Sequence, residues 1–344
     1  MSRRARPLSS RAERGICTSR RYVAATLVVA AHVALAQPKA PSDKWTDPTK
    51  HKVGFVNVTP TVRLHYLDFG GSGQSVLFLA GLGNTAHAFD DFAPALTDRF
   101  HVVALTRRGF GQSTHTANGY DTPRLVEDIR GAIQRLHLGR VILIGHSIAG
   151  EEMSYMAAKF PDEIAKLVYL DAAYDRVTVD SALTEAFPVP PDVSVRPDPT
   201  AADTVTPAAY VDYVHRTRGV NIPESDIRER YKYDGWDEES TLAYQSIGAR
   251  HPDYRAIRAP ALAIYAISDT VTQLEPWQRS DKEHVTGMME MLRGIESVEK
   301  KQREQFRREV AHGGVVEIHG AHHWIFVSHR DEVLADVRRF LTLP

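Results

Sequence analysis

The chain has 344 residues, of which 43% are apolar and 25% charged, the mix of a soluble globular protein with room for one large domain or two ordinary ones. That composition excludes a disordered chain, a collagen-like repeat and a polytopic membrane protein. Forty-two basic residues against 43 acidic ones give a net charge of −1, which speaks against nucleic acid as a partner, and a lone Cys17 excludes a disulfide framework or a cysteine-rich metal centre.

Residues 1–36 carry the features of an export signal. Seven arginines against the single acid Glu13 precede an apolar run, Tyr22 to Leu35, which ends in Ala34-Leu35-Ala36. A basic region, a short apolar stretch and a small-residue cleavage site describe a secretory signal peptide, and a run of 14 residues, interrupted only by Thr26 and His32, falls short of the roughly 20 that span a bilayer. Cleavage after Ala36 leaves 35 bases, 42 acids and no cysteine. The expected location is therefore periplasmic or secreted, with an uncleaved N-terminal membrane anchor as the alternative. Residues 37–52, rich in Pro, Lys and Asp, form a linker.

Strands and helices then alternate. Val53–Val58 and Thr61–Asp68, broken by Thr59-Pro60, predict an N-terminal hairpin. Ser75–Ala80 is a compact buried strand, Ala86–Thr97 has helical spacing, and His101–Thr106 is the next buried run. Asp121–Leu138 places Leu125, Val126, Ile129, Ile133 and Leu136 on one helical face. Arg140–Ile144 reads as a strand and Ala149–Lys159 as a helix. Leu167–Asp171 and Ala261–Ile267 are further buried strands, and Val315–His319 and Asp331–Leu343 close the chain as strand and helix. Short strands buried on both faces and separated by helices predict an α/β fold with a mostly parallel central sheet.

Two stretches interrupt this rhythm. About 90 residues separate Asp171 from Ala261, where a crossover needs about a dozen. They include a Pro- and Asp-rich segment, 186–207, and helical patches over 208–248 bearing Tyr210, Tyr213, Tyr231, Tyr233, Trp236 and Tyr244. The expectation is a largely helical lid inserted at 174–258 between core segments 53–173 and 259–344; peripheral decoration is the alternative. Ser280–Ala311 predicts a long charged helix with one apolar stripe, to which no ligand is assigned.

The chemistry centres on Gly145-His146-Ser147-Ile148-Ala149-Gly150, which follows one predicted strand and opens a helix. A serine on such a turn needs small neighbours at −2 and +2, here Gly145 and Ala149, and its hydroxyl projects at the carboxyl end of the sheet beside the N–H of Ile148. The competing explanation is a tight turn with a capping serine. A nucleophile requires a base and an orienting acid. His323, in Gly320-Ala321-His322-His323, lies just past the last predicted strand, with His322 as competitor. Asp269 lies just past Ala261–Ile267, where a turn-forming role is the alternative. His319, His322, His323 and His329 bring no carboxylate pair at ligand spacing, so no metal is expected there.

With these segments in view, the sequence resembles the α/β-hydrolase superfamily, of the capped serine esterase type, over about residues 53–344. Ala80-Gly81-Leu82-Gly83 is similar to the family's H-G-x-G oxyanion loop, with alanine in place of histidine. Thr106-Arg107-Arg108-Gly109-Phe110-Gly111-Gln112-Ser113 is similar to D-x-R-G-x-G-x-S, with threonine in place of aspartate, and Gly320 to His323 is similar to G-A-G-H. The order Ser, Asp, His is that of this fold. The resemblance implies a triad of Ser147, Asp269 and His323, with Leu82 and Ile148 supplying oxyanion N–H groups. It implies a serine hydrolase acting on a carboxylic ester without a cofactor; the aromatic-bearing lid adds the expectation of a small to medium hydrophobic substrate, and the balanced charge and short apolar run that of no nucleic-acid partner and no membrane span after cleavage. Alternatives are a cofactor-free perhydrolase, a C–C bond hydrolase, or a non-catalytic ligand-binding protein on the same fold.

Overall fold

The computed structural model describes residues 44–179, 181, 197–233, 242–243, 245–267, 269–271, 274–279 and 282–343. The expected signal peptide, residues 37–43 of the linker and part of the expected lid lie outside these residues.

Among the described residues eight strands form one sheet: β1 (Lys52–Asn57), β2 (Arg63–Gly70), β3 (Ser75–Leu79), β4 (His101–Leu105), β5 (Val141–His146), β6 (Ile164–Leu170), β7 (Ala261–Ile267) and β8 (Gly313–His319). Their order across the sheet is β1-β2-β4-β3-β5-β6-β7-β8. The β1–β2 hairpin and the β2–β4 pair are antiparallel, and every other pair is parallel. The central strands are continuous apolar runs because helices cover both faces. Along β7, Ala261, Ala263, Tyr265 and Ile267 enter one core while Leu262, Ile264 and Ala266 enter the other, the period of two that a strand imposes.

Helices α1 (Thr122–Arg135) and α2 (Ala149–Lys159) cover the first face. Asp121 caps α1 by accepting the Arg124 N–H, and Pro123 sits in its first turn, where no backbone donor is lost. In the insertion lie α3 (Pro207–Arg218) and α4 (Glu224–Tyr233). The charged stretch forms α5 (Lys282–Glu309), the crossover between β7 and β8, and its buried Phe306 packs edge-on against Tyr169 and Tyr254. Helix α6 (Arg330–Thr342) covers the second face through Val333, Val337 and Leu341.

One expected helix is different. Ala86–Thr97 forms two 3-10 turns, Ala86–Phe89 and Ala93–Leu96, because Pro94 removes a backbone donor in the middle of the run. Its apolar spacing still serves burial: Phe89 and Phe92 pack against Phe78 and Phe326 in the second core.

Candidate active site

Ser147 follows β5 with a φ of 55°, a left-handed conformation costly for any residue with a Cβ. The turn holds because its neighbours leave it space and lock it. The Ser147 N–H donates to the Leu170 carbonyl at 3.3 Å, and the Ser147 carbonyl accepts from the Gly150 N–H at 3.0 Å as α2 begins. A Cβ on Gly145 would strike the Met153 sulfur and crowd the Ala149 methyl, and one on Gly150 would strike the Ala172 carbonyl. The small residues around the serine are therefore steric requirements.

The His323 Nε2 lies 2.9 Å from the Ser147 Oγ, and its Nδ1 lies 2.6 Å from Oδ2 of Asp171. The carboxylate fixes Nδ1–H as a donor, so Nε2 is left to accept the serine proton. Asp171 is 7% exposed at the side chain, against 41% for His323. Its second oxygen accepts the Tyr174 hydroxyl at 2.5 Å and the Ala266 N–H at 3.1 Å. Burial and the adjacent Asp171 charge push the Tyr174 phenol well above its ordinary value, so it stays a neutral donor to the carboxylate.

The expected partner of His323 was Asp269, and the structure corrects that assignment. Asp269 pairs with His319 at 2.5 Å on the surface, with side chains 39% and 66% exposed. Register explains the difference. His146 on β5 is level with Leu170 on β6, so Ser147 and Asp171 leave adjacent strands side by side. On β7, Ile264 is level with Leu170, which leaves Asp269 four residues beyond the level of Asp171 and next to the end of β8. Two aspartates follow adjacent strand ends in the sequence; only the register distinguishes them.

His322, the competing base, turns away. Its Nδ1 accepts the Trp324 N–H at 3.2 Å. Burial, then the neighbouring His323, lower its pKa to about 3. His146, which the sequence left without a role, lies under the site. Burial drives its pKa well below the usual range, so the neutral ring donates from Nε2 to the His323 carbonyl at 3.0 Å and holds the His323 backbone.

The proposed oxyanion loop lies opposite. A Cβ on Gly81 would sit 2.7 Å from the His146 Nδ1 and 3.3 Å from the Ser147 Cβ, so the loop backbone runs directly past the serine. Leu82 packs into a small cluster with buried Ile148. The Arg107 guanidinium, buried and doubly bonded to Glu152 of α2, also donates to the Ala80 carbonyl at 3.0 Å, tying this loop to the helix that follows Ser147. Thr106, which replaces the family's aspartate, accepts the Ala86 N–H at 2.9 Å and meets the His65 Nδ1 at 3.0 Å. From the insertion, Asp226 of α4 accepts from the Asn84 amide and from the N–H and hydroxyl of Thr85. Ala243 and Ile247, also from the insertion, pack into the cluster that holds Leu82 and Ile148.

Comparisons with known proteins agree with this architecture. A family model described as alpha/beta hydrolase fold matches residues 74–288. A 2-(acetamidomethylene)succinate hydrolase of Mesorhizobium japonicum is 36% identical over 101 residues, 29% of this chain and 36% of that protein. A non-heme haloperoxidase of Rhodococcus erythropolis is 26% identical over 64% of this chain and 83% of its own. A bifunctional esterase/perhydrolase of Acinetobacter calcoaceticus is 31% identical over 35% of this chain and 45% of its own. The matched stretch thus spans less than half of the first and third of these relatives. Among solved structures, an E-2-(acetamidomethylene)succinate hydrolase covers 86% of this chain and all of its own at a TM-score of 0.60 and 22% identity, which shows the fold. With the family match extending over more than half of the sequence, the chain belongs to the alpha/beta hydrolase fold family.

Proposed function

We propose that the protein is a serine hydrolase that cleaves a carboxylic ester of a small to medium hydrophobic substrate through Ser147, His323 and Asp171. The observation that carries this reading is the continuous chain from the Ser147 Oγ through His323 to Asp171, at 2.9 and 2.6 Å, on a strained strand-to-helix turn.

In the first half-reaction His323 Nε2 takes the Ser147 proton as the Oγ attacks the acyl carbonyl. Asp171 holds the imidazole in this tautomer and stabilises the imidazolium that forms. The N–H groups of Leu82 and Ile148 receive the oxyanion, at about 3–4 kcal/mol per donor. His323 then gives its proton to the leaving alkoxide. Water, activated by the same imidazole, releases the acid and restores the serine. Ser147 in place of a carboxylate nucleophile speaks against epoxide opening or dehalogenation. The insertion serves as a lid in this reading, which the packing of Ala243 and Ile247 beside Ile148 supports. Export through residues 1–36 belongs to the same proposal.

A second reading is perhydrolysis or C–C bond hydrolysis on the same triad, of which the name of the esterase/perhydrolase relative favours the first. The test is a fluorophosphonate probe followed by a panel of p-nitrophenyl esters from acetate to palmitate, with peracid formation and C–C cleavage assayed in parallel. Labelling at Ser147 with turnover highest on short or medium esters is the expected result. Labelling without ester turnover, together with peracid or C–C activity, moves the assignment to the second reading. Absence of labelling overturns both.

A further inference from the structure

A second cluster of chemically capable side chains lies apart from the triad, where the segment before β1, the turn after β3 and helix α4 converge. It comprises Asp47, His51, His87 and Asp90, with one ligating atom of each lying within 4.8 Å of the others. The His51 Nε2 is 3.1 Å from Asp47 Oδ2 and 4.0 Å from Asp90 Oδ1. The His87 Nδ1 is 3.3 Å from Asp47 Oδ2 and 2.8 Å from Asp90 Oδ2. Four donors about 2.0–2.1 Å from a tetrahedral ion stand about 3.3 Å from one another; the separations here run from 2.8 to 4.0 Å, with Asp90 turning Oδ1 toward His51 and Oδ2 toward His87.

The donors are also aimed and held. Asp47 Oδ1 accepts the Thr49 N–H at 2.8 Å, leaving Oδ2 toward the cluster. Asp90 Oδ2 accepts the Ser225 hydroxyl at 2.5 Å. The His87 Nε2 lies 3.1 Å from Glu229 Oε2, and a carboxylate behind a histidine is the usual support of a metal-bound imidazole. Glu229 is itself held by the Gln112 N–H at 3.2 Å.

Two buried polar atoms of these residues, His51 Nδ1 and Asp90 Oδ1, have no hydrogen-bond partner among the described residues, and the second faces the cluster. Asp90 Oδ1 belongs to a side chain 1% exposed and accepts no hydrogen bond among the described residues. A buried carboxylate oxygen without a donor is costly, and it points toward His51 Nε2.

We propose that Asp47, His51, His87 and Asp90 bind one divalent transition-metal ion of the zinc type. Two imidazoles and two carboxylates suit zinc, whereas calcium takes six to eight oxygens. The neighbouring trio His65, His87 and Glu229 is the weaker alternative, because the His65 Nδ1 already meets the Thr106 hydroxyl at 3.0 Å. The ion joins residues 44–51 to the turn that follows the oxyanion loop, and through Ser225 and Glu229 to α4. Its role is a clamp between the chain's N-terminal segment, the core and the insertion, independent of the triad.

The test is titration of the chelator-treated, untagged protein with Zn²⁺ alone by calorimetry, with bound metal counted by mass spectrometry. One equivalent is expected, with a rise in melting temperature. His51→Gln and Asp90→Asn are expected to lose at least about tenfold in affinity, Glu229→Gln about 10–100-fold, and Ser147→Ala nothing. Asp47→Asn, at the most exposed of the four ligands, gives a further reading should a buried variant fail to fold. Absence of stoichiometric binding overturns the proposal. So does binding unchanged in the folded variants, which would put the ion elsewhere, for instance among the histidines between 319 and 329.

Discussion

Replacing Asp171 by Asn separates the two candidate acids. Asp171 Oδ1 accepts from the Tyr174 hydroxyl and the Ala266 N–H, so the amide oxygen of an asparagine takes that side. The NH₂ group then faces the His323 Nδ1, now 2.6 Å from a carboxylate oxygen, and a donor there forces the proton onto Nε2. An Nε2–H cannot accept the Ser147 proton. A wrong tautomer in this arrangement costs about 10⁴ in kcat, which at 1.36 kcal/mol per tenfold is about 5 kcal/mol of transition-state stabilisation. Asp269→Asn removes only a surface pair with His319, of the class worth about 0–1 kcal/mol, and kcat is expected to stay within about twofold. Steady-state p-nitrophenyl ester hydrolysis reads both, with circular dichroism confirming the folds. An Asp269→Asn variant that is crippled beside an active Asp171→Asn would refute the register argument.

Four further outcomes are expected. Ser147→Ala abolishes ester turnover and phosphonate labelling while moving the melting temperature little, since alanine inherits the same positive φ; turnover within tenfold of the parent would sink the nucleophile. His323→Ala loses several orders of magnitude in kcat and His322→Ala under about tenfold, because the triad acts as a unit and His322 serves the Trp324 backbone; kinetics giving the opposite ranking would move the base. Gly81→Ala drives a methyl to 2.7 Å from the His146 ring and displaces the oxyanion loop, so kcat falls more than KM rises; an unaltered kcat would detach that loop from the chemistry. Below pH 6.5 the unfolded chain protonates His322 while the folded chain, with its pKa lowered to about 3, does not, so stability falls as pH drops. At pH 5 the loss from this group is at most about 2 kcal/mol, and denaturation of His322→Gln is expected to show a shallower pH slope between 6.5 and 5; an unchanged slope would contradict it.

Where burial and local chemistry decide an element, the sequence makes it legible. The apolar runs of β3, β5 and β7 appear as strands because both faces are covered, and Asp121 with Pro123 marks the start of α1. Gly145 and Ala149 announce the serine turn because sterics admit nothing larger beside it. Asp171 was visible as the last residue of a strand run, yet Asp269 had the same local signal; the pairing of β5 with β6 that separates them is a long-range fact. Asp47, His51, His87 and Asp90 show no motif for the same reason, since the fold assembles them from the segment before β1 and the turn after β3.

The register that places Ser147 beside Asp171 has a consequence for how the site fails. Ser147 and Asp171 leave neighbouring interior strands, whereas His323 follows β8, an outer strand that pairs with β7 alone among the described residues. Outer strands open at lower free energy than the middle of a sheet. When β8 detaches, His323 departs while Ser147 and Asp171 keep their mutual placement. Inactivation by mild denaturant is therefore expected to be a sub-global event that precedes loss of the core, with amide exchange along β8 faster than along β5 or β6.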